Sequence, residues 1–139
     1  MSNDRYRWLA EPVILIVDDH EAVRAALREW LGTVLPNCQY QEASSAEEAL
    51  ALVQARPPTV VLMDIQLPGM NGVEATRRLK QIAPRTHVVI MTIHENPEYQ
   101  ADARAAGASA YVLKRMLGSE LIPIMARLVS GATSVVSEP

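Results

Sequence analysis

Four short apolar runs divide the chain: VILIV at 13–17, TVVLM at 59–63, HVVIM at 87–91 and AYVLK at 110–114. Their length, β-branched content and lack of polar alternation predict strands covered on both faces, as in a parallel sheet. CQYQEA at 38–43 alternates polar and apolar positions and reads as an edge strand. Between the runs the pattern turns helical. Val23, Ala26, Leu27, Trp30 and Leu31 follow the i, i+3, i+4, i+7, i+8 rule, as do Ala46, Ala49, Leu50 and Val53 in a second helix. A weaker stripe, Val73, Thr76 and Leu79, follows Gly72. The fourth helix is predicted to start at Asn96 and Pro97, an N-cap acceptor followed by a residue that needs no donor in the first turn. Its apolar side is thin, consisting of Tyr99, Ala103 and Ala106. A fifth helix is predicted from near Ser119 to Gly131, with Leu121, Ile124, Met125 and Leu128 inward and Pro123 in its first turn.

Five βα units of this kind predict an α/β fold with a doubly wound, five-stranded parallel sheet. Right-handed crossovers and a polar second strand at the edge favour the order 2-1-3-4-5. At 139 residues the chain suits one domain, and 49% hydrophobic with 21% charged residues excludes a largely disordered one. The apolar runs are far shorter than the roughly 20 residues of a membrane-spanning helix. MSNDRYRWLAEP lacks the features of a signal peptide, so a cytoplasmic protein without membrane contact is expected. Cys38 is the single cysteine, which rules out an internal disulfide and predicts a buried, inert thiol. With a net charge of −3 and no Lys/Arg cluster, nothing in these residues attracts nucleic acid.

In such a sheet the binding crevice lies at the carboxyl ends of the strands. Asp18 and Asp19 follow strand 1, Asp64 follows strand 3, Thr92 strand 4 and Lys114 strand 5. Each has a plain alternative. The Asp18–Asp19 pair caps a helix, Thr92 closes a strand, and Lys114 is a solvated charge. Asp64 is harder to explain that way, because a carboxylate directly after VVLM is partly desolvated and costly without a partner. Three crowded carboxylates either take up a proton or gather a cation. An all-oxygen set with room for water suits Mg²⁺, which usually shares a phosphate oxygen. Lys114 then supplies a point charge to that phosphate, Thr92 a hydroxyl donor, and Asp64 a nucleophile toward phosphorus.

Taken together, Asp18-Asp19 after ILIV, MDIQLPGMNG around Asp64, IMTIHE around Thr92 and GASAYVLK ending at Lys114 resemble the receiver domain of bacterial two-component response regulators, the CheY-like fold. The resemblance covers roughly residues 12–131, leaving residues 1–11 as an N-terminal extension and 132–139 as the start of a linker or tail. It implies that Asp64 is the phosphoacceptor for a sensor histidine kinase. It also implies that Asp19 and Asp64 are side-chain Mg²⁺ ligands, with Asp18 assisting through water and the Gln66 backbone carbonyl completing the set. Thr92 and Lys114 match the pair that contacts the phosphoryl oxygens, and Tyr111 matches the aromatic switch residue.

TIHE, the Arg after Lys114, and the ending SELIPIMARLVSGATSVVSEP are similar to the NarL/FixJ branch. That likeness implies a helix-turn-helix DNA-binding domain beyond this chain and a homodimer on phosphorylation, with a stand-alone or degenerate receiver as the alternative. An Asp-nucleophile phosphatase of the dehalogenase kind is a further rival, although Gln66 stands where such enzymes need a second acid. Ile93 is expected to narrow access to the phosphoryl group, and Gln66 and His94 to flank the path of attacking water. His20, His87 and His94 do not have metal-binding spacing and are read as incidental.

Overall fold

The computed structural model describes residues 11–137, with side chains described for residues 11–130. The expectations for an N-terminal extension and for the last residues of the tail lie outside the described residues. Five strands, β1 (Val13–Val17), β2 (Gln39–Ala43), β3 (Val60–Asp64), β4 (His87–Thr92) and β5 (Ala110–Leu113), form one sheet in the order β2-β1-β3-β4-β5. All four strand pairs are parallel. Alternating with them are α1 (Glu21–Val34), α2 (Ala46–Ala55), α3 (Gly72–Ile82), α4 (Pro97–Ala105) and α5 (Leu117–Ser137), the last preceded by a 3-10 turn at Lys114–Met116.

The period-two geometry of a strand sends neighbouring side chains to opposite faces, which divides each apolar run between two cores. Leu15, Val17, Val61, Met63 and Ile90 pack under α2 and α3. Ile14, Ile16, Leu62, Val89 and Met91 pack under α1 and α5 with Leu27, Leu31, Leu121 and Met125. Each fully buried aliphatic side chain is worth roughly 1.5–3 kcal/mol, so the middle of the sheet is the most firmly held part of the molecule. β2 has partly exposed residues at Gln39, Tyr40, Gln41 and Glu42, as its polar alternation predicts for an edge.

Several local expectations change. The α1 stripe is only half used: Leu27 and Leu31 are buried, whereas Val23 is 37% exposed and Ala26 also faces out. Val23, Ala26, Trp30 and Leu117 line an open apolar groove between α1 and the start of α5. α5 starts at Leu117 rather than Ser119, which places Pro123 inside the helix and not in its first turn. The carbonyl of Ser119 therefore has no i+4 amide to receive. The helix also passes through Gly131 to Ser137. A glycine costs about 1 kcal/mol in a helix interior but does not terminate one, and no proline follows until Pro139. Cys38 is partly rather than fully buried, because it lies at the edge of the sheet just before β2.

Candidate functional site

β3 delivers Asp64 to the rim at only 3% exposure, while β1 places Asp18 beside it at 0%. Neither carboxylate is left alone. Lys114, which follows β5, lays its Nζ between them, 3.2 Å from Asp64 Oδ2 and 3.4 Å from Asp18 Oδ2. Backbone donors take the opposite oxygens: the His20 N–H donates to Asp18 Oδ1 at 2.8 Å and the Gln66 N–H to Asp64 Oδ1 at 3.1 Å. One ammonium and two amides thus offset part of the desolvation cost of two buried carboxylates.

The two acids titrate in opposite directions. Burial pushes Asp64 up, and the Gln66 amide and Lys114 charge only partly oppose it. Burial acts on Asp18 too, but there the His20 amide, the Lys114 charge and further bonds prevail and hold the group below the ordinary value. Burial alone would lower Lys114, yet the charges of Asp64 and Asp18 raise it. The ammonium is therefore firmly charged at neutral pH.

The approach to Asp64 depends on the turn Leu67-Pro68-Gly69-Met70-Asn71-Gly72. Gly69 takes φ +78°, a conformation that disfavours side chains. Gly72 packs so closely that a Cβ there would lie 2.2 Å from the Asp64 carbonyl oxygen. Asn71 Oδ1 caps α3 by accepting from the Val73 and Glu74 amides at 2.9 and 3.0 Å. The glycines allow α3 to start directly against the strand end that carries the acid.

Thr92 closes β4 at 1% exposure, and its Oγ1 accepts from the His94 N–H at 3.0 Å. The Tyr111 hydroxyl donates to the His94 carbonyl at 2.8 Å. The His94 ring stacks on Tyr99 of α4 with centroids 4.6 Å apart. Ile93, the residue after Thr92, is 65% exposed. Gln66, His94 and Tyr99 line a cleft of about 490 Å³ between the β3–α3 and β4–α4 connections.

Asp18, Asp64, Thr92 and Lys114 are thus gathered at one rim, with Asp19 more exposed at its edge. The helix-cap alternative for the Asp pair does not hold, since His20 is the N-cap residue of α1 and makes no side-chain cap bond. His20 itself is not incidental. Its Nδ1 lies 3.2 Å from Asp18 Oδ1 and 3.2 Å from Asp19 Oδ1, and ligand atoms of these three residues lie within 4.8 Å of one another. His94 joins Thr92 to Tyr111 through its backbone, a role that does not depend on its imidazole. Imidazole spacing alone carries no sign of either role. Adjacency to Asp19 and to the Thr92 strand end was the available signal. Arg24, whose Nη1 donates to the Asp18 carbonyl at 2.7 Å, was missed altogether.

The oxygen-rich set suits a hard divalent cation, and receiver domains typically bind Mg²⁺ through such an acidic cluster. Comparison with known proteins points the same way. Residues 14–126 match the response regulator receiver domain family. The transcriptional activator protein ExaE of Pseudomonas putida is 37% identical over 118 residues, covering 85% of this chain and 55% of that protein. The DNA-binding transcriptional activator DevR/DosR of Mycobacterium tuberculosis is 41% identical over 108 residues, covering 78% and 50%. The chain spans about half the length of the curated relatives it matches.

Among solved structures, a LuxR-family two-component response regulator from Aurantimonas superposes with a TM-score of 0.76 at 34% identity, covering 87% of this chain and 86% of that one. A CheY-like receiver domain protein from Methanospirillum hungatei gives 0.81 at 25%, covering 89% and 98%. Buried acids sharing one lysine at the carboxyl rim of a 2-1-3-4-5 sheet, the family match and these relatives agree: the chain belongs to the response regulator receiver domain family, with relatives of the NarL/FixJ type.

Proposed function

We propose that Asp64 accepts a phosphoryl group from a sensor histidine kinase in the presence of Mg²⁺, and that the change this causes controls a DNA-binding output domain outside these residues. The protein acts in the cytoplasm, and phosphorylation favours a homodimer. The observation that carries the reading is the position of Asp64: nearly dry, at the end of a core strand, and sharing the Lys114 ammonium with a second buried acid.

Asp19 and Asp64 side chains, the Gln66 carbonyl and, through water, Asp18 would hold Mg²⁺. The ion supplies charge neutralisation for the phosphoryl oxygens. An Asp64 carboxylate oxygen forms the new bond to phosphorus while the phosphorus–nitrogen bond of the phosphohistidine breaks, its electron pair staying on the imidazole. Lys114, already at Asp64, steadies the added charge, which approaches −2. In this way the chain assists its own phosphorylation. Gln66 and His94, which line the cleft, set the access of water in the reverse loss.

Read-out runs through Thr92. Moving a two-state equilibrium from 1:99 to 99:1 takes about 5.5 kcal/mol, whereas one hydrogen bond to a charged group contributes about 1.5–3 kcal/mol. Thr92 alone falls short, so Lys114 shares the task. A Thr92 hydroxyl that turns toward the phosphoryl group gives up the His94 N–H, and the His94 carbonyl is the acceptor for Tyr111. The displacement thereby reaches Tyr111 and α4.

Incubation with acetyl phosphate and Mg²⁺ tests this reading. Uptake should saturate at no more than one phosphoryl group per chain, with no sustained turnover of a generic phosphomonoester. Continued turnover would instead make the protein a hydrolase using the same aspartate. Thr92→Ala should still take up phosphoryl but respond to it less, and equal responses would remove Thr92 from the switch.

A further inference from the structure

The Asp18–Asp19 connection is held by a group that lies outside the rim. The Asp18 N–H donates to the Ala43 carbonyl at 3.1 Å, which carries the β1–β2 ladder one residue past its last pair. The Asp18 carbonyl accepts from Arg24 Nη1 at 2.7 Å. Arg24 Nε donates to Glu42 Oε1 at 3.1 Å, and Glu42 Oε2 accepts from Arg28 at 2.9 Å. The Arg24 side chain is only 14% exposed. Its planar fork makes both bonds in fixed directions, which an ammonium cannot reproduce.

The carbonyl of Asp18 belongs to the rigid peptide plane that joins Asp18 to Asp19. Gripping that oxygen fixes the rotation of the plane, and with it the directions in which the two side chains leave the backbone. Arg24 acts on the backbone, whereas the charge that shifts the Asp18 carboxyl is that of Lys114. Glu42, a charged residue on an otherwise ordinary edge strand, holds the guanidinium in place.

We propose that Arg24 is a positioning residue for the divalent-cation site: reaching from α1 and braced by Glu42 on β2, it orients the Asp18–Asp19 peptide so that both carboxylates converge on one ion. The inference rests on the reading of these acids as a Mg²⁺ site.

The test compares the parent with Arg24→Lys, Arg24→Ala and Glu42→Gln. Mg²⁺ affinity is measured by calorimetric titration, and the melting temperature is measured in EDTA. Outer-shell partners of metal ligands typically contribute about 10–100-fold in affinity. Arg24→Lys and Arg24→Ala should therefore weaken Mg²⁺ binding about 10-fold or more, while Arg24→Lys melts within a few degrees of the parent. Glu42→Gln keeps the bond to Asp18 and should weaken binding less. Parent-like Mg²⁺ affinity in Arg24→Lys overturns the inference while leaving the metal reading intact. So do parallel losses of affinity and stability across all three variants, which would mark general loosening. A parent that binds no Mg²⁺ overturns the metal reading and this inference together.

Discussion

The two sides of the rim are built differently. On the β1–β3 side, Asp18 and Asp64 are buried, and amides and the Lys114 ammonium occupy their oxygens. There α3 is pressed against the Asp64 backbone through Gly72. On the β4–α4 side, Thr92 is equally buried, but the chain then turns outward through Ile93, and α4 buries only Ala103. The contrast suits a signalling domain. Charge chemistry needs a fixed frame, and a responsive segment is drawn from the less stable part of a structure.

The strongest way to break the comparison is to loosen the fixed side. Gly72→Ala puts a methyl group against backbone that has nowhere to retreat, and it should lower unfolding stability in urea by about 3 kcal/mol. A loss under about 0.5 kcal/mol would mean that the close approach at Gly72 is not a constraint. Next in size is Lys114→Met, which strands two buried carboxylates. It should cost about 2 kcal/mol in EDTA, below the range for a fully buried pair because Lys114 is partly exposed. Added Mg²⁺ should recover more of that loss than it adds to the parent.

Asp64→Asn sharpens the same point through pH. The folded-state pKa of Asp64 is raised, so its ionisation opposes folding as pH climbs through that value. In EDTA at neutral pH the amide variant should melt a few degrees above the parent. The gap should shrink as pH falls through the raised value and stay flat below the ordinary 3.8. A gap that widens on acidification would reverse the assignment. The smallest effect belongs to the β4–α4 side. Tyr99→Ala removes a stack worth about 0.5–1.5 kcal/mol, yet Tyr99 is 39% exposed, so the loss should lie near 0.5 kcal/mol. Hydrogen exchange should show α4 amides opening before those of β3 in both proteins. Equal protection of the two would erase the comparison.

The sheet was readable in advance because strands covered on both faces must be apolar throughout, so VILIV and VVLM stand out from any helix pattern. Strand order and the gathering of Asp18, Asp64, Thr92 and Lys114 then follow from topology. The contacts that individualise the site were not readable in this way. Asp18 and Asp19 look alike in sequence, yet past the end of β1 one is buried against Lys114 and the other is exposed. Arg24 sits on the polar side of α1, where a charge is unremarkable until its reach to the Asp18 carbonyl is seen. The half-exposed α1 stripe shows the same limit: periodicity identifies an apolar face without saying how much of it a neighbour covers.

The central claim is tested most directly by mass spectrometry after exposure to acetyl phosphate and Mg²⁺, with peptide mapping and Asp64→Asn in parallel. The account predicts a single phosphoryl adduct on the peptide that carries Asp64 and none in the variant. An adduct of equal yield in Asp64→Asn, or no adduct in the folded parent with Mg²⁺ bound, would contradict it.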